Sequence, residues 1–205
     1  KISQGMRDTV LFGIQTYTSD VPVLTLRGTS TPLLIGDNAI AGFGDGKVVA
    51  IDLDSGNVSW ESRIGIPQGG SEIDRIVDID GVMTVQGIEL FVSSYQGRVA
   101  ALDIRTGRKL WQQNVSSVTG TSVGFGNVYV ADVDGTVSAF LRNGQGARWQ
   151  NIELGYRELS RPTPVKSYVA TVDLEGYLHF LSQVDGVIVG RLKIAGGPAR
   201  ADMIS

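Results

Sequence analysis

Few residues of this chain have types and spacing that could do chemistry, and each can be weighed in its local context. In "DIDGVMTVQGIE", Asp78, Asp80 and Glu89 fall at positions 1, 3 and 12 of a calcium-binding loop. Such a loop needs an oxygen ligand at position 5 and a turn glycine at position 6. Here these are Val82 and Met83, so the geometry fails. His179 is the single histidine and lies in the apolar stretch "YLHFL", with no nucleophile turn nearby. It is expected to be a packed or hydrogen-bonded strand residue. "GFGDGK", from Gly42 to Lys47, lacks the spacing of a phosphate loop and the hydroxyl after its lysine, and it feeds a strand where a helix is needed. Cysteine is absent, which removes disulfides, thiolate metal sites and thiol catalysis. No catalytic residue, cofactor or metal site is assigned.

Binding chemistry is left to two segments. In "VPVLTLRGTSTP", Val21 to Pro32, an extended chain projects Leu24 and Leu26 to one side with Arg27 beside them. Two leucines and a cation make a small anchor of the kind found at protein interfaces, although an ordinary edge strand fits equally well. The second segment, "IGIPQGGSEIDRIVDIDG", Ile64 to Gly81, is surplus to a repeat described below. It is either a binding loop on a rigid scaffold or a tolerated insertion. Asp78 and Asp80 within it are two apart and could project together, with charge complementary to a partner.

These residues must be positioned by the surrounding elements, and those elements repeat. "GKVVAIDLDSGNVSW" (Gly46 to Trp60) recurs as "GRVAALDIRTGRKLW", "GTVSAFLRNGQGARW" and the decayed "GYLHFLSQVDGVIVG". Each copy begins with a strand apolar on both faces. A β-like run ahead of each copy pairs with that strand in a hairpin whose tip is Asp45-Gly46, Gln96-Gly97, Asp134-Gly135 or Glu175-Gly176, with glycine supplying the positive φ, and a last strand ends near the tryptophan. Gly56, Gly107 and Gly186 mark a second turn, and Gly144 and Gly146 bracket its equivalent in the third copy. With one more apolar run upstream, each unit has four short antiparallel strands.

This pattern predicts an all-β chain of β-propeller blades, about four of a probable eight. The blade-like units are roughly 28–64, 76–115, 116–154 and 160–194, with partial flanking strands at 8–27 and 195–205. Trp60, Trp111 and Trp149 recur at one offset from a turn glycine and are expected to fill gaps between blades, while Gly190 replaces the fourth. The surplus segment shows in the spacing: 51 residues separate Trp60 from Trp111 but 38 separate Trp111 from Trp149.

A formal charge of −3 and a pI near 5.1 give no reason to approach nucleic acid or an anionic membrane. No stretch has the length of an apolar membrane span, and "KISQGMRD" lacks a signal-peptide core. Ragged units at both ends suggest part of a longer propeller, whose open blade faces could drive self-association.

The repeated G-x-V-x-A-[IL]-D-x-x-x-G-x-x-x-W pattern resembles the tryptophan-docking repeat of propellers related to quinoprotein dehydrogenases. More specifically, "VPVLTLRGTSTP", "EIDRIVDID", "GRVAALDIRTGRKLW" and "DLEGYLHFL" together resemble the BamB family of outer-membrane protein assembly factors. The resemblance implies an eight-bladed periplasmic propeller, tethered to the outer membrane by a lipidated N-terminal cysteine, that acts as a non-enzymatic scaffold. Its implied partner is BamA, contacted through periplasmic polypeptide-transport-associated domains, with unfolded outer-membrane proteins as further partners. On this resemblance Leu24, Leu26 and Arg27 match the partner-binding segment, and Asp78 and Asp80 match its neighbouring acidic pair. The chain departs from the family in lacking the cysteine and about half the blades. A quinoprotein-like dehydrogenase fragment and a generic interaction propeller are the alternatives.

Overall fold

A computed structural model describes residues 7–12, 15–20, 30–66, 70–71 and 76–194, with the backbone alone given for the first two stretches. Among these residues every regular element is a β-strand, and no helix is long and apolar enough to cross a membrane. Strands β1 (Arg7–Phe12) and β2 (Gln15–Asp20) form an antiparallel pair.

Four four-stranded antiparallel meanders follow. The first is β3 (Leu33–Ile35), β4 (Asn38–Gly42), β5 (Lys47–Asp52) and β6 (Val58–Arg63). The second is β7 (Thr84–Gln86), β8 (Glu89–Ser93), β9 (Arg98–Asp103) and β10 (Lys109–Asn114). The third is β11 (Thr121–Gly124), β12 (Asn127–Ala131), β13 (Val137–Leu141) and β14 (Ala147–Asn151). The fourth is β15 (Thr163–Val165), β16 (Tyr168–Val172), β17 (Tyr177–Ser182) and β18 (Ile188–Lys193). The chain divides into two compact units at Val118/Thr119, so the first two sheets belong to one unit and the last two to the other.

Within each unit the two sheets are joined by a tryptophan. Trp60 on β6 donates from Nε1 to the carbonyl of Ile104 at 3.0 Å, and its ring covers Gly107 in the turn of the following sheet. Trp149 on β14 repeats this, donating to the Gln183 carbonyl at 2.9 Å and covering Gly186. A methyl group at Gly107 would stand 2.7 Å from Trp60 Cδ2, and one at Gly186 2.6 Å from Trp149 Cδ2. Only glycine therefore admits the ring. Both rings are buried, and each closes a gap between consecutive sheets as the repeat predicts.

The partner of each tryptophan across the sheet explains why the ring fits. Trp60, Trp111 and Trp149 stand opposite Ala50, Ala101 and Ala139, whose small side chains leave room. In the fourth sheet the sizes are exchanged, with Phe180 opposite Gly190. Beside each pair the register slips, at Ala50/Ile51, Lys109/Trp111, Ala139/Phe140 and Phe180/Leu181. A bulge at one place in each four-stranded sheet increases the local twist there.

One turn departs from expectation. Gly46, Gly135 and Gly176 carry positive φ at their hairpin tips, but in the second sheet it is Gln96 that does so, at φ 44°, and not Gly97. Gly97 is required for a different reason, because a Cβ there would run into the Ser94 side chain. The two sheets of each unit share one apolar core. Ile40, Val48, Ala50, Trp60, Leu90 and Leu102 are among its residues in the first unit; Tyr129, Val137, Trp149, Val169 and Leu181 are among those in the second.

Candidate docking surface

The surplus connector Ile64–Gly81 is built into the first unit at both ends. Where it leaves β6, the amides of Ile64 and Gly65 both donate to the Gly46 carbonyl, at 2.8 and 3.2 Å. Where it returns, Ile76, Val77, Asp78 and Ile79 are all buried, and Ile79 lies in the shared core with Ile64. The Ile79 amide donates to Phe43 O at 3.3 Å, and the Asp78 carbonyl accepts from the Tyr95 amide at 2.9 Å. The returning stretch Ile76–Ile79 is thus a strap across the β4–β5 and β8–β9 hairpins. Ile66, Gly70 and Ser71 are its exposed described residues.

The second non-repeat segment reaches the same place. Ser30, within Val21–Pro32, is buried, and its Oγ accepts from the Gly42 amide at 2.9 Å. Gly42 is also the seat of Ile79, where a Cβ would stand 2.9 Å from Ile79 Cβ. Two segments far apart in sequence are therefore fastened to one residue at the end of β4. Leu24, Leu26 and Arg27 lie outside the described residues.

The acids differ from the expectation that they project together. Asp78 is 1% exposed, and Asp80 is half-buried with both carboxylate oxygens shielded from solvent. Sequence reasoning missed this because a loop has no periodicity to reveal which of its residues turn inward. Among the described residues no group of three or more Asp, Glu or His side chains is arranged to hold a metal ion.

His179 belongs to a buried polar cluster in the second unit. Its Nε2 lies 2.9 Å from Asp173 Oδ2, which also accepts from Arg157 Nη1 at 2.9 Å, while Asp173 Oδ1 accepts from the Tyr177 amide at 2.9 Å. Burial pushes the Asp173 carboxyl up, but the donors on His179, Tyr177 and Arg157 together outweigh it, and the net shift is downward. The cluster locks the β16–β17 hairpin to the connector before it.

Glycine-seated tryptophans joining successive four-stranded meanders define a β-propeller of the tryptophan-docking class. Within that class the chain belongs to the family described as outer membrane protein assembly factor BamB, whose sequence profile matches residues 14–151. It is 52% identical over 86% of its length to the assembly factor BamB of Pseudomonas aeruginosa, covering 46% of that protein. It is 35% identical over 86% of its length to that of Bordetella pertussis, again covering 46%. The crystal structure of BamB from Moraxella catarrhalis superposes with a TM-score of 0.87 at 32% identity, over 93% of this chain and 58% of that one. A europium-containing methanol dehydrogenase superposes at 0.61 and 14% identity, covering 87% of this chain and 44% of that one; this likeness shows the fold alone. The chain spans about half the length of the curated relatives it matches.

Proposed function

We propose that this chain carries the docking surface of a non-enzymatic scaffold for outer-membrane protein assembly. In this reading it works on the periplasmic side of the outer membrane as part of a lipid-anchored protein. It binds the periplasmic domains of BamA through Leu24, Leu26 and Arg27, with unfolded outer-membrane proteins as further partners. The observation that carries the reading is the fastening of both non-repeat segments to Gly42, by Ser30 from one side and Ile79 from the other. A scaffold that ties two irregular segments to one rigid strand end keeps them in a fixed arrangement, which lowers the ordering cost of binding. Leu24 and Leu26 supply the apolar anchor, Arg27 the directional charge, and Asp78 and Asp80 the shape of the connector.

The test is capture of purified BamA periplasmic domains by this chain, followed by calorimetry. Leu24→Ala combined with Leu26→Ala should weaken binding by about tenfold or more, and Arg27→Glu by a similar factor, with urea midpoints unchanged. Asp78→Ala should lower affinity and stability together. If the wild-type chain fails to bind, or the leucine double variant binds as tightly as wild type, the assignment is wrong.

A further inference from the structure

The outer strands of the first and fourth sheets end alike but carry different charges. In the first, Lys47 stands opposite Arg63 and Val49 opposite Glu61; in the fourth, Tyr177 stands opposite Lys193 and His179 opposite Arg191. The last cation of each strand makes the same contact: Arg63 Nη1 donates to the Asp45 carbonyl at 3.1 Å, and Lys193 Nζ donates to the Glu175 carbonyl. The first sheet neutralises its charges internally, since Lys47 pairs with Glu61 at 3.2 Å and with Asp45 at 3.5 Å. In the second sheet the matching outer-strand positions hold Gln112 and Asn114, which are uncharged. The blade therefore needs no pair of cations at this place.

The fourth sheet has such a pair. Arg191 and Lys193 are both exposed, and being two residues apart they share one face of β18. Tyr177 joins them: the Arg191 guanidinium carbon lies 4.2 Å from the centre of its ring and the Lys193 ammonium 4.1 Å. Stacking on a ring orients a guanidinium while leaving the N–H groups at its edge free to donate. Among the described residues Arg191 makes no hydrogen bond or ion pair, and Lys193 has only the Glu175 carbonyl besides the ring. Two like charges held beside one ring repel each other, a cost that an approaching anion offsets.

The charges around the pair do not cancel it. The β16–β17 hairpin tip supplies two carboxylates, and Arg157 from the preceding connector holds both, Asp173 at 2.9 Å and Glu175 at 3.4 Å. Asp173 is buried and also meets His179, whereas Glu175 is exposed. Strands β17 and β18 carry no acid, and neither does β14, the outer strand of the third sheet. Asp185 sits in the turn at the other end of β18, where it accepts from the Val187 amide. Of the connector's remaining charges, Glu153 and Glu158 are exposed and pair with neither Arg191 nor Lys193, and Arg161 reaches β11, donating to the Thr121 carbonyl at 3.4 Å. Arg157, Arg191 and Lys193 thus stand against two carboxylates that are already paired.

We propose that Arg191 and Lys193, held on the Tyr177 ring, form a second docking surface, for an extended acidic segment of another protein with Asp or Glu at alternate positions. Two residues along a strand span about 7 Å, so an extended segment repeats its side chains at the interval that separates these two cations on β18. One acid takes the free edge of the Arg191 guanidinium in a bidentate pair, and the next takes the Lys193 ammonium. This surface uses no residue assigned to BamA and does not rest on that assignment.

The probe is a short fluorescein-labelled peptide in which Glu alternates with Thr, with a control in which every Glu is Gln, titrated with the 205-residue chain. Arg191→Gln combined with Lys193→Gln should weaken binding of the acidic peptide by about tenfold, with a shallower salt dependence and an unchanged melting temperature. Arg191→Lys keeps the charge but loses the planar fork, and should weaken binding by about threefold. Arg191→Glu combined with Lys193→Glu should reverse the preference, so that a peptide alternating Lys with Thr binds in place of the acidic one. Phosphatidylglycerol vesicles, the other anionic source, should bind no better than phosphatidylcholine vesicles. Capture of BamA periplasmic domains should be unchanged by the Gln double variant, so the two surfaces fail independently. The proposal is overturned if the acidic peptide does not bind, if the Gln control binds as tightly, if the phosphatidylglycerol vesicles bind in its place, or if the Gln double variant leaves its affinity within a factor of about two, which lies inside the near-neutral range of interface substitutions.

Discussion

The two blade pairs share a framework and differ in what lies between their sheets. In each, a tryptophan sits on a turn glycine and donates to the carbonyl of a neighbouring turn residue, Ile104 in one and Gln183 in the other. In each, two buried aliphatic residues anchor the connector in the core, Ile64 and Ile79 in the first pair, Leu154 and Leu159 in the second. In each, a connector carbonyl receives the amide of the next hairpin tip, Asp78 from Tyr95 and Arg157 from Leu174. The span between those fixed points is long in the first pair and short in the second. Because the anchors are satisfied in both, the extra length was accommodated without disturbing the blades. Loop closure makes such insertions inexpensive, since its entropic cost grows only slowly with length.

The largest test of this shared framework removes the tryptophans. Trp60→Ala and Trp149→Ala should each destabilise by about 3–5 kcal/mol in urea titrations, since each leaves a buried void and an unmet carbonyl. Equal losses would support one docking device used twice. A loss below about 1 kcal/mol for either would break the equivalence, because a buried indole cannot be so weakly coupled to its core.

The second test exploits a difference. The connector of the second pair is pinned by Arg157 on buried Asp173, whereas the strap of the first pair is pinned by Ile79 on Gly42. Asp173→Asn should cost about 2 kcal/mol at neutral pH, the scale of hydrogen bonds to a charged group. Its sign with pH follows from the lowered carboxyl. The native state binds its proton less readily than the unfolded chain, so the extra stability is present in full above about pH 4 and is lost as pH falls through the lower folded value. The Asn variant should therefore lose stability at neutral pH and show a flatter acid limb. Parallel acid curves for variant and wild type would remove Asp173 as the cause.

A third and smaller effect is expected at Gly42. A methyl group there presses on Ile79 beside the Ser30 hydrogen bond, so Gly42→Ala should cost about 1–2 kcal/mol by overpacking. The same variant should weaken capture of BamA periplasmic domains if both non-repeat segments hang from this residue. Destabilisation with full capture would separate the fold from the docking proposal.

The blades were legible because their determinants are local and repeated. Alternating apolar strands, Gly56, Gly107 and Gly186 at positive φ, and tryptophans at one offset specify the meanders residue by residue. The connectors were only partly legible. Asp78 and Asp80 stood out as charges, but burial of Ile76–Ile79 depends on contacts with Phe43 and Tyr95 that no local pattern encodes. The exposure of Tyr156 was equally silent, since an aromatic residue in a loop reads as core or surface with equal ease. The interchange of Gln96 and Gly97 was missed because turn propensity identifies the dipeptide and not which member turns left-handed.

That interchange gives the finest probe of how alike the two pairs are. At three tips glycine takes the positive φ at no steric cost, but in the second sheet Gln96 takes it at 44° with its amide donating to Ser116 Oγ at 2.9 Å. The hydrogen bond is made by the backbone, so it survives replacement of the side chain. Gln96→Gly therefore removes the left-handed penalty and keeps the Ser116 contact, offset in part by the greater freedom of glycine in the unfolded chain. The expected result is a gain of at most about 1 kcal/mol, read as a small rise in the urea midpoint. Gly97→Ala should act the other way, since its Cβ would collide with the Ser94 side chain, whose Oγ accepts from the Arg98 amide at 3.1 Å. If Gln96→Gly is destabilising, Gln96 carries no left-handed penalty and the difference between the hairpins disappears; if Gly97→Ala is neutral, the Ser94 side chain is not what requires glycine there.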